Sequence, residues 1–364
     1  RSHVTQQDVP RRPKRAQRAL AYGLAELVVL AVSLGPILGQ SWWTGMRNYF
    51  PVDQLSYAGI ATNVSVGNWS IVEPHTLTGT SHYPSAWYVL MGATSWLTHV
   101  PVWIMWSILG VAILSTAVLF VGATAARISG RAWAPVLPAL ALLTGTLGTF
   151  ANGSWFTPLL GHAVIWGPFG TAFVLNSEVA GLSLAAITLA LLVRAAYEPE
   201  NPSNGRRIVV AGALIGVTAN VHTYSFFTAT FVAAVLIAAR ELLAHPSRSK
   251  AIATVAAPAV VLLAGPFLAT VIGPLPLFGL LLLAMSPSLI PAARRRTTTA
   301  VLAAAAFAIA ASPQVIRTVL GLAQHDPFLT YREVSTRNLG VGGLTAVVAA
   351  TTWILAFIAC AIAL

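Results

Sequence analysis

The stretch Ala300 to Leu320 reads AVLAAAAFAIAASPQVIRTVL, and it decides the class of fold. A near-continuous run of Ala, Leu, Val and Ile of this length, wound as a helix, spans the roughly 30 Å hydrocarbon layer of a bilayer. The stretch Ala253 to Gly273, ATVAAPAVVLLAGPFLATVIG, has the same character, and similar segments recur to the last residue. A secretory signal alone therefore does not explain them. The sequence predicts a membrane protein with many helical spans.

Composition points to the same class. Of 364 residues, 56% are hydrophobic and 9% are charged, whereas a soluble domain carries about 25% charged residues. The net charge of +11 is shared with nucleic-acid-binding proteins, but the positions of the basic residues favour a topology signal. The single cysteine, Cys360, lies in the last apolar run, so the chain has no intrachain disulfide and no cysteine metal cluster.

Basic residues fall in alternate loops between the apolar segments. Cytoplasmic loops of membrane proteins carry an excess of Lys and Arg, so we assign these loops to the cytoplasm. We expect the anionic membrane surface, and no nucleic acid, as their partner. The basic sets are the tail PRRPKRAQR, Arg127 with Arg131, Arg194 with Arg206 and Arg207, Arg240 with Arg248 and Lys250, and Arg294 to Arg296.

Ten crossings with both ends in the cytoplasm satisfy this rule at every turn. We therefore predict an all-α integral membrane protein, a polytopic bundle of about ten transmembrane helices after a basic cytoplasmic tail over residues 1–19. Gly265-Pro266 and Gly273-Pro274 predict kinks or breaks. The predicted spans are Leu20 to Gly39, Val102 to Ala126, Ala134 to Phe150, Phe173 to Val193, Ile208 to Thr223, Phe226 to Leu243, Ala253 to Gly273, Leu275 to Ile290, Ala300 to Leu320 and Gly343 to Leu364.

The longest polar interval, Gln40 to Pro101, is predicted to be an external first loop that carries interfacial helices. Its segment Ser85 to Leu97 is too short and too rich in Trp and Tyr for a span, so we predict a helix on the outer leaflet. Further polarity lies in the external loops Asn152 to Thr171 and Gly321 to Gly342. The acids predicted to face outside, from which an external site would take its carboxylate, are Asp53, Glu73, Asp326 and Glu333.

Asp53 follows Pro51 and precedes QLSYAGIATNV, in which Leu55, Ile60 and Val64 recur near helical spacing. This pattern predicts a short helix on the membrane surface, with Asp53 as its N-cap or first-turn residue. One interpretation is a cap alone, which contributes about 1 kcal/mol. The other is a functional carboxylate whose direction the cap fixes, and both can hold together.

The order of these features resembles one class of membrane enzyme. An external first loop with an aspartate near the exit of the first span, an amphipathic helix and a Tyr-Pro-x-x-Trp start to a second interfacial helix resemble the GT-C class of integral-membrane glycosyltransferases. Val52-Asp53-Gln54, followed by Tyr83-Pro84-Ser85-Ala86-Trp87, is most similar to the actinobacterial arabinofuranosyltransferases that use a polyprenyl-phosphate sugar. The match covers the first loop and the general order of the spans.

The resemblance implies an inverting sugar transfer on the external face of the plasma membrane, in cell wall biogenesis. Asp53 would be the general base that takes a proton from the acceptor hydroxyl, which then attacks the anomeric carbon of the donor. Carboxylates are ordinarily ionised at neutral pH, and inversion needs one base and a good leaving group. The implied donor is a polyprenyl-phosphate sugar, arabinofuranose or else mannose. The implied acceptor is an envelope polysaccharide or glycolipid.

Charge that develops on the leaving polyprenyl phosphate calls for cations on the outer side. Arg332 and Arg337 are the first candidates, because guanidinium groups match phosphate oxygens bidentately, and Arg317 is the second. The alternative is that Arg332 and Arg337 pair with Asp326 and Glu333 in a solvated loop. If they bind the phosphate, Arg332→Ala and Arg337→Ala weaken donor binding more than folding.

Other polar and aromatic residues predicted on the outer side are candidates for substrate contact. His222 and Tyr224 could hydrogen-bond the phosphate or the sugar, or could mark the membrane interface. Trp155 and His162 could line a binding site for a sugar or a prenyl chain. Trp and Tyr are, however, also enriched at headgroup depth in any membrane protein. The substrate-binding candidates are Gln54, Tyr57, Glu73, His75, His82, Tyr83, Trp87, Trp155 and His162.

Other kinds of catalytic site find less support. Glu73-x-His75 offers too few fixed ligands for a metal, so no metal residue is assigned, and a divalent cation is only an option. No Gly-rich phosphate loop, zinc-type spacing or Ser/His/Asp order stands out, which disfavours an ATP-driven pump or a soluble-type hydrolase. Glu26 and Glu178 lie in predicted spans, where a carboxylate is costly unless it faces a cavity or a partner.

The competing class is a carrier or flippase for a lipid-linked sugar, with Glu26, Glu178 and Arg317 as coupling charges. Transporters often contain repeated halves, and no convincing repeat is found here. A transporter also has little use for a long first loop rich in Asp, His and Trp. A noncatalytic partner subunit is a third interpretation. Because the chain stops inside an apolar segment at Leu364, we expect a longer protein with a further C-terminal part.

Overall fold

A computed structural model of the chain describes residues 15–38, 51–69, 71, 82–136, 174–327 and 329–330. These residues form helices, and no β-strand occurs among them. The predicted all-helical class is therefore confirmed for the described part. The predicted spans Ala134 to Phe150, beyond its first three residues, and Gly343 to Leu364 lie outside the described residues.

The helices are labelled here in chain order. They are α1 (Arg15–Leu38), α2 (Pro51–Ser65), α3 (Ala86–Thr98), α4 (Val102–Ser129), α5 (Ser177–Tyr197), α6 (Asn204–Val221), α7 (Thr223–Ala244), α8 (Arg248–Leu263), α9 (Gly265–Ile272), α10 (Pro274–Ala284), α11 (Ser286–Arg295) and α12 (Thr297–Ala323).

Four helices of the described part are long and apolar enough to cross a membrane by length and composition, namely α4, α5, α7 and α12. The consecutive helices α10 and α11 would make a fifth span, bent by 66° at the break between them. Much of α12 is exposed and apolar, as at Val301, Ile309 and Val319. Large exposed apolar surfaces are typical of contact with a membrane or a partner. The predicted total of ten spans is not confirmed by the described part.

Two segments predicted as single spans are divided in the structure. The predicted break beside Pro266 is confirmed, because α9 begins as a separate helix at Gly265. The next helix follows Gly273, whose φ of 82° lies in the left-handed region that favours glycine. It starts at Pro274, where the missing N–H costs no helical hydrogen bond. The predicted span Leu275 to Ile290 is divided at Met285, between α10 and α11.

α12 packs closely along α6. A Cβ atom at Gly212 would lie 2.5 Å from the Ala303 carbonyl oxygen, and one at Gly216 would lie 2.5 Å from the Phe307 carbonyl oxygen. Small residues four positions apart share one face of a helix and let two backbones approach, as in many membrane helix pairs. This packing fixes the last turns of α12 against the junction of α6 and α7.

The first-loop helices are joined to the long helices by a buried apolar cluster. Trp87 and Tyr88 of α3, Ile60 of α2, Trp106 of α4 and Leu175 before α5 are among its members. The predicted helix over Ser85 to Leu97 is confirmed as α3, with one-residue differences at its ends. Its depth in a membrane stays a prediction.

Candidate functional site

α2 begins at Pro51, so Asp53 and Gln54 lie in its first turn, as predicted for Asp53. Proline suits the first helical position because its missing N–H has no intrahelical partner there. A first-turn carboxylate is also favoured by the positive end of the helix dipole. Tyr57 lies four positions after Asp53, on the same face of α2.

Tyr57 is the middle ring of a stack of three tyrosines. Its ring centroid lies 5.1 Å from that of Tyr83 and 4.7 Å from that of Tyr88, with interplanar angles of 21° and 8°. Trp106 extends the row at 5.5 Å from Tyr88. Each such aromatic pair contributes about 0.5–1.5 kcal/mol beyond the burial of its surface. The stack therefore joins the Asp53 helix to the Tyr-Pro-x-x-Trp motif.

The start of α5 is anchored against this stack. The Tyr88 hydroxyl donates to Ser177 Oγ at 2.9 Å and accepts from the Ser177 N–H at 3.3 Å. Burial and the neighbouring Tyr83 raise the pKa of Tyr88 well above its ordinary value, so the phenol stays neutral. The Trp106 indole N–H donates to the Val174 carbonyl at 3.0 Å. Tyr88 is thus a buried structural link between α3 and α5.

Glu178 lies in the first turn of α5 and is buried. The Asn176 side chain caps this helix by accepting from the N–H groups of Glu178 and Val179. The sequence placed Glu178 within the predicted fourth span, Phe173 to Val193, but the helix starts at Ser177. Glu178 is therefore at the start of a helix and not in its interior.

The segment from His82 to Ser85 contacts the last turns of α12. Arg317 Nη1 donates to Ser85 Oγ at 3.2 Å, and Gln314 Nε2 donates to the His82 carbonyl at 2.6 Å. A Cβ atom at Gly321 would lie 2.6 Å from the His82 ring, so the missing side chain lets the imidazole pack against the helix. These contacts bring a guanidinium group beside the Tyr-Pro-x-x-Trp motif.

Buried polar atoms lie near the same motif. His82 Nε2 is 3.7 Å from Asp326 Oδ2, and both side chains are buried. Within the described residues, neither ring nitrogen of His82 nor Trp87 Nε1 has a hydrogen-bond partner. Buried polar atoms are normally hydrogen-bonded. A polar group of a substrate would gain free energy by satisfying them.

Pro313 precedes Arg317 by one turn of α12, and its ring nitrogen cannot donate to the Ile309 carbonyl. That carbonyl accepts instead from Ser312 Oγ at 2.9 Å. The side-chain amide of Asn220, on α6, hydrogen-bonds the following carbonyl and N–H of α12, those of Ala310 and Gln314. It donates to the Ala310 carbonyl at 2.7 Å and accepts from the Gln314 N–H at 3.1 Å. Asn220 therefore holds the proline turn of α12 in place.

His222 and Tyr224 lie at the junction of α6 and α7. His222 Nδ1 caps α7 by accepting from the Ser225 N–H at 3.3 Å, and it lies 2.8 Å from Ser225 Oγ. A Cβ atom at Gly181 of α5 would lie 2.8 Å from the His222 Cβ. Nδ1 thus has a capping role at the start of α7. Tyr224 is exposed, with its ring centroid 5.8 Å from that of His222.

The opposite end of these helices is basic. Glu198 accepts from Arg127, and from Arg207 at 2.8 Å. These two arginines hold the pKa of Glu198 down at about 2. Arg295 pairs with Glu241 at 3.2 Å. This is the end that the charge pattern assigns to the cytoplasm.

Glu26 lies on α1, away from the aromatic stack. A Cβ atom at Gly122 of α4 would lie 3.1 Å from its carboxylate. The Tyr22 hydroxyl lies near this carboxylate, but the two groups do not meet the geometric criteria of a hydrogen bond. Glu26 is thus buried between two helices and is not part of the cluster around Tyr83.

The structure brings together Tyr57, His82, Tyr83 and Trp87 of the predicted site, with Asp53 and Gln54 one turn from Tyr57. The sequence ranked Arg317 second, but it is the arginine that lies beside this group. Ser85, Tyr88, Ser177 and Gln314 were missed; the polar run after Pro313 in an apolar span was the available signal. The predicted residues outside the described part are Glu73, His75, Trp155, His162, Arg332 and Arg337.

No three His, Cys, Asp or Glu side chains within the described ranges are arranged to hold a metal ion. Comparison with known proteins gives no relative from which to argue. No protein-family model, no curated protein and no solved structure matches this chain significantly.

Proposed function

We propose that this chain is an inverting glycosyltransferase of the GT-C type. It transfers arabinofuranose from a polyprenyl-phosphate donor to a cell-envelope glycan on the external face of the membrane. One observation supports the proposal most: the helix that carries the first motif packs against the second motif, and the second motif contacts an arginine. Tyr57, one turn after Asp53, stacks on Tyr83, and Ser85 of the second motif bonds Arg317.

The proposed reaction is a single displacement at the anomeric carbon. Asp53 takes the proton of an acceptor hydroxyl, whose oxygen forms a bond to the anomeric carbon. The bond between that carbon and the phosphate oxygen breaks, and polyprenyl phosphate leaves with the electron pair. A base on one face and a leaving group on the other give inversion.

Arg317 is proposed to stabilise the leaving phosphate. A guanidinium group in a partly apolar setting stabilises developing negative charge more strongly than it would in water. Arg317 is half-buried and donates a hydrogen bond to Ser85. Arg332 and Arg337 remain proposed as further phosphate ligands. Tyr83, the partly exposed ring at the end of the stack, is proposed to pack against a sugar ring or a prenyl chain.

Two other functions stay as alternatives. Transfer of mannose uses the same chemistry and differs only in the shape of the donor sugar. A carrier would use Glu26, Glu178 and Arg317 as coupling charges. The bond from Arg317 to Ser85 gives this arginine a structural role, which favours the transferase.

The test is sugar transfer by the full-length protein and its Asp53→Asn variant. Polyprenyl-phosphate arabinose and polyprenyl-phosphate mannose are compared as radiolabelled donors, with an envelope glycan extract as acceptor. We expect Asp53→Asn to lower the transfer rate by about 100-fold or more, with donor affinity and thermal stability retained. The productive donor identifies the sugar.

Asp326→Asn is the matched control, because it neutralises another acid predicted on the same side. Equal transfer by native protein and Asp53→Asn would contradict Asp53 as the base. A larger loss in Asp326→Asn would move that role to Asp326. No transfer by the native protein with either donor would favour the carrier.

A further inference from the structure

A cleft lies at the basic end of the long helices. Its volume is about 460 Å³, and it lies between the connection of α5 to α6 and that of α11 to α12. Twenty residues of α12 separate it from Arg317, which is about 30 Å at 1.5 Å per residue. The cleft is therefore distinct from the aromatic site. Its lining residues are Pro199, Asn201, Asn204, Gly205, Arg294, Arg295, Arg296, Thr297, Thr298 and Thr299.

The lining carries positive charge without a carboxylate. Arg294, Arg295 and Arg296 line the cleft, and the set contains neither Asp nor Glu. Arg295 pairs with the buried Glu241 at 3.2 Å, outside the lining. The nearby Glu198 is already bonded to Arg127 and Arg207. The local excess of positive charge favours an anionic ligand.

Two helix N-termini also meet at the cleft. The first residues of α6, Asn204 and Gly205, and the first three of α12 line it. A Cβ atom at Gly205 would lie 3.6 Å from Thr299 Oγ1, so the two helix starts are in contact. Neither N-cap residue, Ser203 or Arg296, makes a side-chain capping bond. First-turn N–H groups and the positive ends of two dipoles thus lie beside the arginines.

We propose that this cleft binds a phosphate ester through Arg294, Arg296 and the N-terminus of α12. Guanidinium groups match phosphate oxygens bidentately, and helix N-termini favour the same anion. The volume is within the range of sites for small molecules, roughly 300–1,000 Å³. Two sources of the ester fit this chemistry, the headgroup of an anionic membrane lipid and a soluble phosphate ester. Neither requires sugar transfer.

The experiment measures thermal unfolding of the full chain in phosphatidylcholine nanodiscs, with two probes. One probe is phosphatidylglycerol mixed into the disc, and the other is glycerol 3-phosphate in solution. A ligand that binds only the folded state raises the unfolding temperature with its concentration. We expect one probe to give a saturable rise. Saturation by the lipid alone identifies a headgroup site, and saturation by glycerol 3-phosphate identifies a site for soluble esters.

Charge removal tests the assignment of the cleft. We expect the double variant Arg294→Gln, Arg296→Gln to bind the stabilising probe about tenfold or more weakly than the native protein does. Charge-assisted hydrogen bonds contribute most to the affinity for a phosphate ester. Arg206→Gln is the matched control, since Arg206 is an exposed arginine near the start of α6 that does not line the cleft. The Arg206→Gln variant should bind the stabilising probe with the affinity of the native protein.

Thr298→Glu separates binding from folding. An exposed carboxylate at the second position of α12 is favoured by the helix dipole, so the variant should fold, yet its charge occupies the cleft. We expect it to lose the stabilisation by the probe and to keep the unfolding temperature of the ligand-free protein. Three results overturn the proposal: no stabilisation by either probe, full stabilisation in the arginine double variant, or an equal loss in Arg206→Gln.

Discussion

Arg317 is the residue on which the chemistry of the proposed site depends most. An arginine within an apolar helix is costly unless it has a partner or faces a cavity, and here it donates to Ser85 at 3.2 Å. Gln keeps a hydrogen-bond donor but removes the charge. We expect Arg317→Gln to weaken binding of the polyprenyl-phosphate donor by about tenfold or more. Donor competition binding, run beside thermal unfolding, measures the effect.

Ser85→Ala is the control for this prediction. It removes the bond to Arg317 and leaves the guanidinium, so most of the donor affinity should remain. Unchanged donor affinity in Arg317→Gln would exclude Arg317 from the phosphate site. Arg332 and Arg337 would then carry that role alone.

Tyr57 and Tyr83 illustrate what residue patterns can predict. The sequence identified both as candidates, because aromatic and polar residues are concentrated in an otherwise apolar chain. Their stacking could not be predicted, since the two residues lie on different segments and helical spacing relates only residues of one helix. Arg317 was ranked second for a similar reason. Its partner, Ser85, is 232 positions away in sequence.

At the scale of helices, Asn220 links α6 to the proline turn of α12. Its amide bonds both the Ala310 carbonyl and the Gln314 N–H. We expect Asn220→Leu to lower the free energy of unfolding by about 1–3 kcal/mol, because two partly buried backbone groups lose their partner. Denaturation in detergent measures the change. Asn220→Asp loses the donor and places a carboxylate between two helices, so it should be no more stable than Asn220→Leu; native stability in Asn220→Leu would contradict this role of Asn220.

Glu198 links the ends of α4 and α5 to the start of α6 through Arg127 and Arg207. These arginines lower its pKa from 4.5 to about 2 in the folded protein. The folded state therefore binds the proton less tightly than the unfolded state does. The stabilisation is present above pH 4.5 and is lost as the pH falls towards 2.

Unfolding temperature against pH tests this linkage. We expect Glu198→Gln to flatten the acid side of the profile between pH 4.5 and 2. The effect is modest, because exposed ion pairs are screened by solvent and salt. Glu200→Gln, in the same connection, is the control and should keep the native slope. Identical slopes in native protein and Glu198→Gln would show that the pairing does not contribute.

Helix ends were predicted better than helix contacts. Breaks next to Pro266 and Pro274 follow from the local chemistry of proline and glycine, which acts within a few residues. The approach of α6 to α12 through Gly212 and Gly216 depends on which faces meet. A chain that is apolar on all sides gives little sign of its contact faces, because lipid-facing and protein-facing residues are alike.

At the scale of the whole molecule, the described helices have two chemically different ends. Arg127, Glu198 and Arg207 gather at one end, whereas Tyr83, His82 and Arg317 meet at the other. The alternation of basic loops predicted such a division and assigned the first end to the cytoplasm.

Labelling of single cysteines decides the direction. In a Cys360→Ser background, Thr98→Cys places a thiol at the end of α3, and Ser203→Cys places one in the connection before α6; both positions are exposed. An impermeant maleimide applied to intact cells should label Thr98→Cys, and should label Ser203→Cys only after permeabilisation. The reverse pattern would place Asp53 and Arg317 on the cytoplasmic side. A donor made in the cytoplasm would then reach this site without crossing the membrane, so an external transfer would be contradicted even if Asp53 proved essential.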